Sequence, residues 1–195
     1  MFGIYCALLG IVLASSVELI GLLMREHRLI EQIVAPLETE LVHISHYNIA
    51  HPEFIFEAVD FFRSYADRFH HGKEEDILFV ALREKELEPG LAGIMGELVE
   101  EHRFARKTVG ALVEATERWS HGESEALADI SDNLRRLIEL YPKHIEKEDK
   151  RFFFPCQEYF SKAELRGLLE AGYRFDREFM NEDYGNRMKA LLKHR

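Results

Sequence analysis

His70-x-x-x-Glu74 and His144-x-x-x-Glu148 repeat one spacing, and single histidines, His27 and His102, precede the two copies. Residues four apart sit about 40° apart around an α-helix and one turn along it. Each pair therefore presents an imidazole and a carboxylate side by side on one face. Four helical segments supplying His, His/Glu, His and His/Glu in turn would close around a small metal cluster. Imidazole and carboxylate without sulfur suit iron, manganese or zinc.

Helical geometry refines the choice around His70-His71-Gly72-Lys73-Glu74-Glu75. With His70 as zero, Glu74 lies at about 40°, His71 at about 100° and Glu75 at about 140°. Glu74 is flanked by both imidazoles, the place for a carboxylate that bridges two metals. Glu75 points further round, to solvent or to a supporting position. The same arithmetic favours Glu148 over Asp149, and a kink at Pro142 keeps Asp149 as the alternative. The donor set is then His27, His70, His71, Glu74, His102, His144 and Glu148. A pair of octahedral ions offers roughly twelve positions, of which five imidazoles, two bridging carboxylates and one bridging oxygen fill roughly eleven. If His71 is a ligand, one position is left for a small molecule such as dioxygen or nitric oxide. His43, His46 and His51 fall in a connection and are expected in solvent. Phe69, Ile77 and Phe79 flank the donors and would keep the site dry.

Those donors need four helices to carry them. Apolar residues recur at helical spacing from Ser16 to about Val42, opened by a capping box at Ser15 to Glu18, with Pro36 as a kink or an end. Pro52 opens a second helix that reaches about Glu86, and Pro89-Gly90 is a turn. A third helix covers about Leu91 to Trp119, and a fourth runs from Ser124 to about Phe153, kinked at Pro142 and ended by Phe154-Pro155. Ser161-x-x-Glu164 is a capping box for a short fifth helix that stops near Gly172, followed by a weakly amphipathic helical tail. The expected fold is all-α: an antiparallel up-down-up-down four-helix bundle with extra C-terminal helices. Its expected limits are a hydrophobic N-terminal extension at 1–14, the bundle at 15–156 and a C-terminal helical extension at 157–195.

The chain has 195 residues, 47% hydrophobic and 31% charged, which suits one globular domain rather than disorder. A net charge of −10 disfavours nucleic acid and anionic membranes as partners. Cys6 and Cys156 form no C-x-x-C, so no thiolate zinc site or redox dithiol is indicated, and a reducing cytoplasm is the default. Met1 to Ala14 carry no charge, and the uncharged run to Val17 is short of the roughly twenty residues of a transmembrane helix. Membrane contact is expected only through residues 1–14, with anchoring or export as the alternative to a cytoplasmic location.

Glu26-His27-Arg28-Leu29-Ile30, then Phe69 to Phe79, then Glu101-His102 and finally His144 to Asp149 resemble the hemerythrin-like HHE cation-binding domain. The resemblance covers about Val17 to Pro155, and its two HxxxE segments are quite specific. It implies a four-helix bundle around a non-haem pair of iron ions, oxo- or hydroxo-bridged. It also implies roles in oxygen binding, iron or oxygen sensing, nitric oxide handling or oxidative-stress responses. Two departures separate this chain from the oxygen carriers of the family. Arg106 stands where they place a second third-helix histidine, and Glu148 rather than Asp149 matches the HxxxE pattern. His71 could replace the missing imidazole from a different helix. A binding or sensing protein for dioxygen or nitric oxide is the leading expectation, and a di-iron peroxidase or oxidase the alternative. The latter needs a proton donor, for which Tyr65 is the nearest candidate.

Overall fold

A computed structural model describes residues 18–193. Among these residues all regular structure is helical, and no strand occurs. The hydrophobic stretch at 1–14 and the capping box at Ser15 lie outside the described residues.

The first arm is α1 (Glu18–Ile30), a 3-10 turn (Glu31–Ile33) and α2 (Val34–Tyr47). Pro36 does not end this arm. It has no N–H to give the carbonyl four residues back, so the α-pattern lapses over Glu31–Ile33 and resumes at Val34. The arm extends to Tyr47, five residues past the expected end, and closes on Asn48 in the left-handed conformation (φ 53°).

The second arm begins at α3 (Pro52–Phe61) and continues as the π-helical segment π1 (Phe62–His71). A second π segment, π2 (Glu74–Leu78), leads into α4 (Phe79–Arg83). The third arm is one long helix, α5 (Pro89–Ser120). In the fourth, α6 (Ala126–Lys147) runs on through Pro142, and the irregularity falls downstream in π3 (Glu148–Phe152). A last turn, α7 (Phe153–Gln157), carries this arm past Pro155.

The C-terminal region is a single helix, α8 (Lys162–Lys193), rather than a short helix and a separate tail. Its capping box forms as expected: the Ser161 N–H donates to Glu164 Oε2 (2.7 Å) and the Glu164 N–H to Ser161 Oγ (3.3 Å). Gly172 does not stop it. The missing side chain instead lets α8 lie against α1, since a Cβ there would come within 2.9 Å of Leu19 Cδ1. Among the described residues no helix is long and apolar enough to cross a membrane.

Helices α5 and α6 pack on each other, α2 packs on α6, and α3 on α5. Two apolar clusters result. One holds Ile30, Leu37, Ile55, Phe62, Leu112 and Leu137 with their neighbours. The other holds Leu23, Leu78, Phe79, Leu98, Phe152 and Phe153 with theirs. Each arm passes from one cluster to the other, and its histidines fall at the crossing. His27 lies between Leu23 and Ile30, and His70 to Glu74 lie between Ala66 and Leu78. His102 lies between Leu98 and Ala105, and His144 to Glu148 lie between Tyr141 and Phe152. The fold therefore contains a polar layer sealed on both sides by apolar side chains.

Candidate metal centre

All seven sequence-derived donors lie in that layer, none more than 3% exposed. The structure gathers His27, His70, Glu74 and Glu148 in one group and His71, His102 and His144 in another, with donor atoms in each within 4.8 Å of one another. The two carboxylates stand between the groups. Glu74 lies 3.5 Å from His70 Nε2 and 3.4 Å from His102 Nε2. Glu148 lies 3.0 Å from His27 Nε2, 3.3 Å from His144 Nε2 and 3.9 Å from His102 Nε2.

Every imidazole but one is gripped from behind by a carboxylate of another arm. His27 Nδ1–H donates to Asp149 (2.7 Å) and His70 Nδ1–H to Glu26 (2.9 Å). His102 Nδ1–H donates to Glu75 (2.7 Å) and His144 Nδ1–H to Glu101 (2.8 Å). The grips close a ring: the fourth arm holds the first, the first holds the second, the second the third and the third the fourth. A proton held at Nδ1 leaves the lone pair on Nε2, and this is how carboxylates fix a metal-binding tautomer. Lysines reinforce two of the grips. Lys73 Nζ donates to Glu26, and Lys147 Nζ donates to Glu101 (2.6 Å).

The inward atoms have nothing to bond. Nε2 of His27, His70, His102 and His144 and all four oxygens of Glu74 and Glu148 are buried without a hydrogen-bond partner. Native interiors leave few polar atoms unpaired, because each costs on the order of 1–3 kcal/mol. Eight such atoms converging on one spot fit a bound cation, which would take all of them as ligands. Charge gives the same answer. Burial, reinforced by the facing Glu148, holds the Glu74 carboxyl well above the usual carboxylate range. Glu148 is equally buried, yet His144, His102 and His27 hold it well below that range. Without a cation the pair must share its ionisation; a divalent ion between them removes that conflict.

The remaining histidines differ from these four gripped imidazoles. His71 sits against His102, ring centroids 3.8 Å apart, but its Nδ1 has no hydrogen bond; the nearest carboxylate oxygen, on Asp67, is 3.5 Å away. His43 and His51 are not simply in solvent. The His51 N–H and Nδ1–H both donate to buried Glu40 (2.7 and 2.8 Å), and His43 Nδ1–H donates to the Ile49 carbonyl (3.0 Å). Glu40 thereby pins the connection that follows α2. His46 bonds back to the Val42 carbonyl within its own helix (3.0 Å).

Sequence reasoning missed the gripping role of Glu26, Glu101 and Asp149, and left Glu75 between solvent and support. The signal was present: each is the immediate neighbour of a donor. Phe79 stacks on His102 and Phe153 on His27. Of the aromatic residues expected to keep the site dry, Phe79 does so most directly. Tyr65 joins neither donor group; its ring stacks on Phe61 and leans on Phe69.

The chain matches the family described as Hemerythrin HHE cation binding domain over residues 18–154. No curated protein and no solved structure matches it.

Proposed function

This chain belongs to the hemerythrin HHE cation-binding family, and from that premise we propose that it holds two iron ions and takes up a small ligand such as dioxygen or nitric oxide. The observation that carries the reading is the convergence of partnerless buried atoms from His27, His70, Glu74, His102, His144 and Glu148. Glu74 and Glu148 would be shared between the ions, with His27 and His70 on one side and His71, His102 and His144 on the other. Donors of imidazole and carboxylate without sulfur suit iron among the transition metals. A bound iron pair supplies reversible small-ligand binding and one-electron chemistry. The protein's own part is to fix the Nε2 tautomers through the carboxylate ring and to exclude water with Phe79 and Phe153.

The bundle reading rests on the order in which the arms meet the two apolar clusters. The first and third arms run from the Leu23 cluster to the Leu37 cluster, and the second and fourth run back. That alternation supports an antiparallel up-down-up-down bundle at 15–156, with 157–195 as a C-terminal helical extension. Ligand binding is favoured over peroxidase or oxidase chemistry because Tyr65, the proton donor that chemistry would use, packs among phenylalanines instead.

The test is iron content together with the optical spectrum of the full chain from iron-supplemented cells. About two irons per chain, with near-ultraviolet bands that shift on adding azide or nitric oxide, is the expected result. A folded chain that refuses iron under anaerobic conditions would overturn the proposal.

A further inference from the structure

The two halves of the donor set repeat. Glu26-His27, His70, Lys73 and Glu74-Glu75 correspond in order to Glu101-His102, His144, Lys147 and Glu148-Asp149. The carboxylate grips and lysine bonds obey the same correspondence. One donor breaks it. His71 has no counterpart in the second half, where the residue after His144 is the buried core residue Ile145.

His71 differs from the other four imidazoles in every respect that fixes a ligand. No carboxylate accepts from its ring, and its Nδ1 is left without a hydrogen bond. It also lines a cavity of about 110 Å³, which none of the other six donors lines. Phe62, Ala105, Val109 and Tyr141 form the apolar wall, and Arg63, Asp67 and Arg106 the charged part. Arg106, which stands where related oxygen carriers place a ligand histidine, turns its guanidinium away to Asp67 (2.7 Å) and Glu75 (2.8 Å). By donor count the open position belongs beside His27 and His70, yet the cavity ends on the three-imidazole side.

Resting on the proposed centre, we infer that His71 is its exchangeable donor and that this cavity is the port through which a ligand of a few atoms reaches the place His71 vacates. The four gripped imidazoles hold their places; the ungripped one yields. The port favours small molecules through its apolar wall, and Arg63 on its lining gives it a positive charge for small anions such as azide or nitrite. When His71 withdraws, each side keeps two gripped imidazoles and the repeat becomes exact in its donors.

The experiment follows azide binding by stopped-flow absorbance on the iron-loaded full chain, after iron per chain has been measured. In the wild type the observed rate should level off with rising azide, because departure of His71 becomes limiting. His71→Ala should retain its iron, lose the plateau and bind azide on the order of tenfold faster at high azide, since the closed state no longer reduces the competent fraction. Added imidazole should compete with azide in that variant and not in the wild type. Ala105→Leu, which narrows the cavity, should slow azide in the wild-type background while leaving iron content and the resting spectrum unchanged. Loss of iron in His71→Ala to the extent seen in His70→Ala would overturn the inference, as would an unchanged plateau. A wild type without iron overturns the centre itself, and that result is read before azide is added.

Discussion

The first half of the molecule, arms one and two, and the second half, arms three and four, place the same chemistry in different surroundings. Lys73 and Lys147 occupy equivalent positions and bond equivalent glutamates. Lys73 is fully buried, because α8 lies over it and brings Asp176 Oδ1 to 2.8 Å from its Nζ. Its ammonium also sits 3.5 Å from the centre of the Phe69 ring. Lys147 stays near the surface, and its second partner is the exposed Glu97 (2.8 Å). Gly72 likewise faces α8, where a Cβ would come within 2.8 Å of Phe175, whereas its counterpart Glu146 points to solvent and bonds Lys150. One pattern of donors and grips is therefore compatible with a sealed half and an open half. The donor set belongs to the repeat, and the sealing belongs to the C-terminal helix.

The largest predicted effect should ignore that difference. Glu74→Ala and Glu148→Ala each remove a shared carboxylate, so both should weaken metal binding by at least about a hundredfold, read as metal per chain after dialysis. A loss confined to one of them would break the equivalence of the halves. The lysines should separate. Lys73→Ala leaves Glu26 as a buried carboxylate without its cation and should cost about 3 kcal/mol or more in urea unfolding of the metal-free chain. Lys147→Ala, at a solvated pair, should cost about 1 kcal/mol or less. Similar costs would mean that α8 does not seal the first half.

A smaller separation is expected one position earlier. Gly72→Ala should destabilise by about 1 kcal/mol, the crowding against Phe175 outweighing the gain in helix propensity. Phe175→Ala in the same chain should remove that cost, while Glu146→Ala should change stability by no more than about 0.5 kcal/mol. An additive double mutant would place the strain elsewhere.

The smallest effect is a pH slope that should disappear when metal is bound. His27 is deeply buried, but the Asp149 carboxylate it bonds and the Glu148 carboxylate facing its Nε2 outweigh that in the metal-free chain and raise its pKa to about 9. A folded-state pKa above the unfolded value stabilises fully below about 6.5 and loses that contribution as pH rises through about 9. Metal-free protein should therefore lose melting temperature across this window. Metal binding requires the imidazole free of its Nε2 proton, so affinity should rise across the same window. The gap in melting temperature between loaded and metal-free chains should widen with pH; a constant gap would remove His27 from the ligand set.

Much of this was legible in the sequence for a physical reason. A donor needs a particular side chain at a particular helical spacing, and both are visible in His70-x-x-x-Glu74 and His144-x-x-x-Glu148. The helix wheel set Glu74 ahead of Glu75 and Glu148 ahead of Asp149 as donors, but it carries no sign that Glu75 and Asp149, in π2 and π3, reach histidines of other arms. The grips themselves run between arms and have no spacing to read. Gly172 looked like a stop; it and Gly72 are places where α8 comes close, which only the tertiary packing reveals.

The central claim is a pair of metal ions shared by Glu74 and Glu148, and anomalous diffraction at the iron edge from crystals of the loaded chain tests it most directly. The account predicts two iron peaks in the polar layer, one beside His27 and His70 and one beside His102 and His144, with both carboxylates touching both. A single peak, or peaks at Glu40 and His51 with none between Glu74 and Glu148, would contradict it.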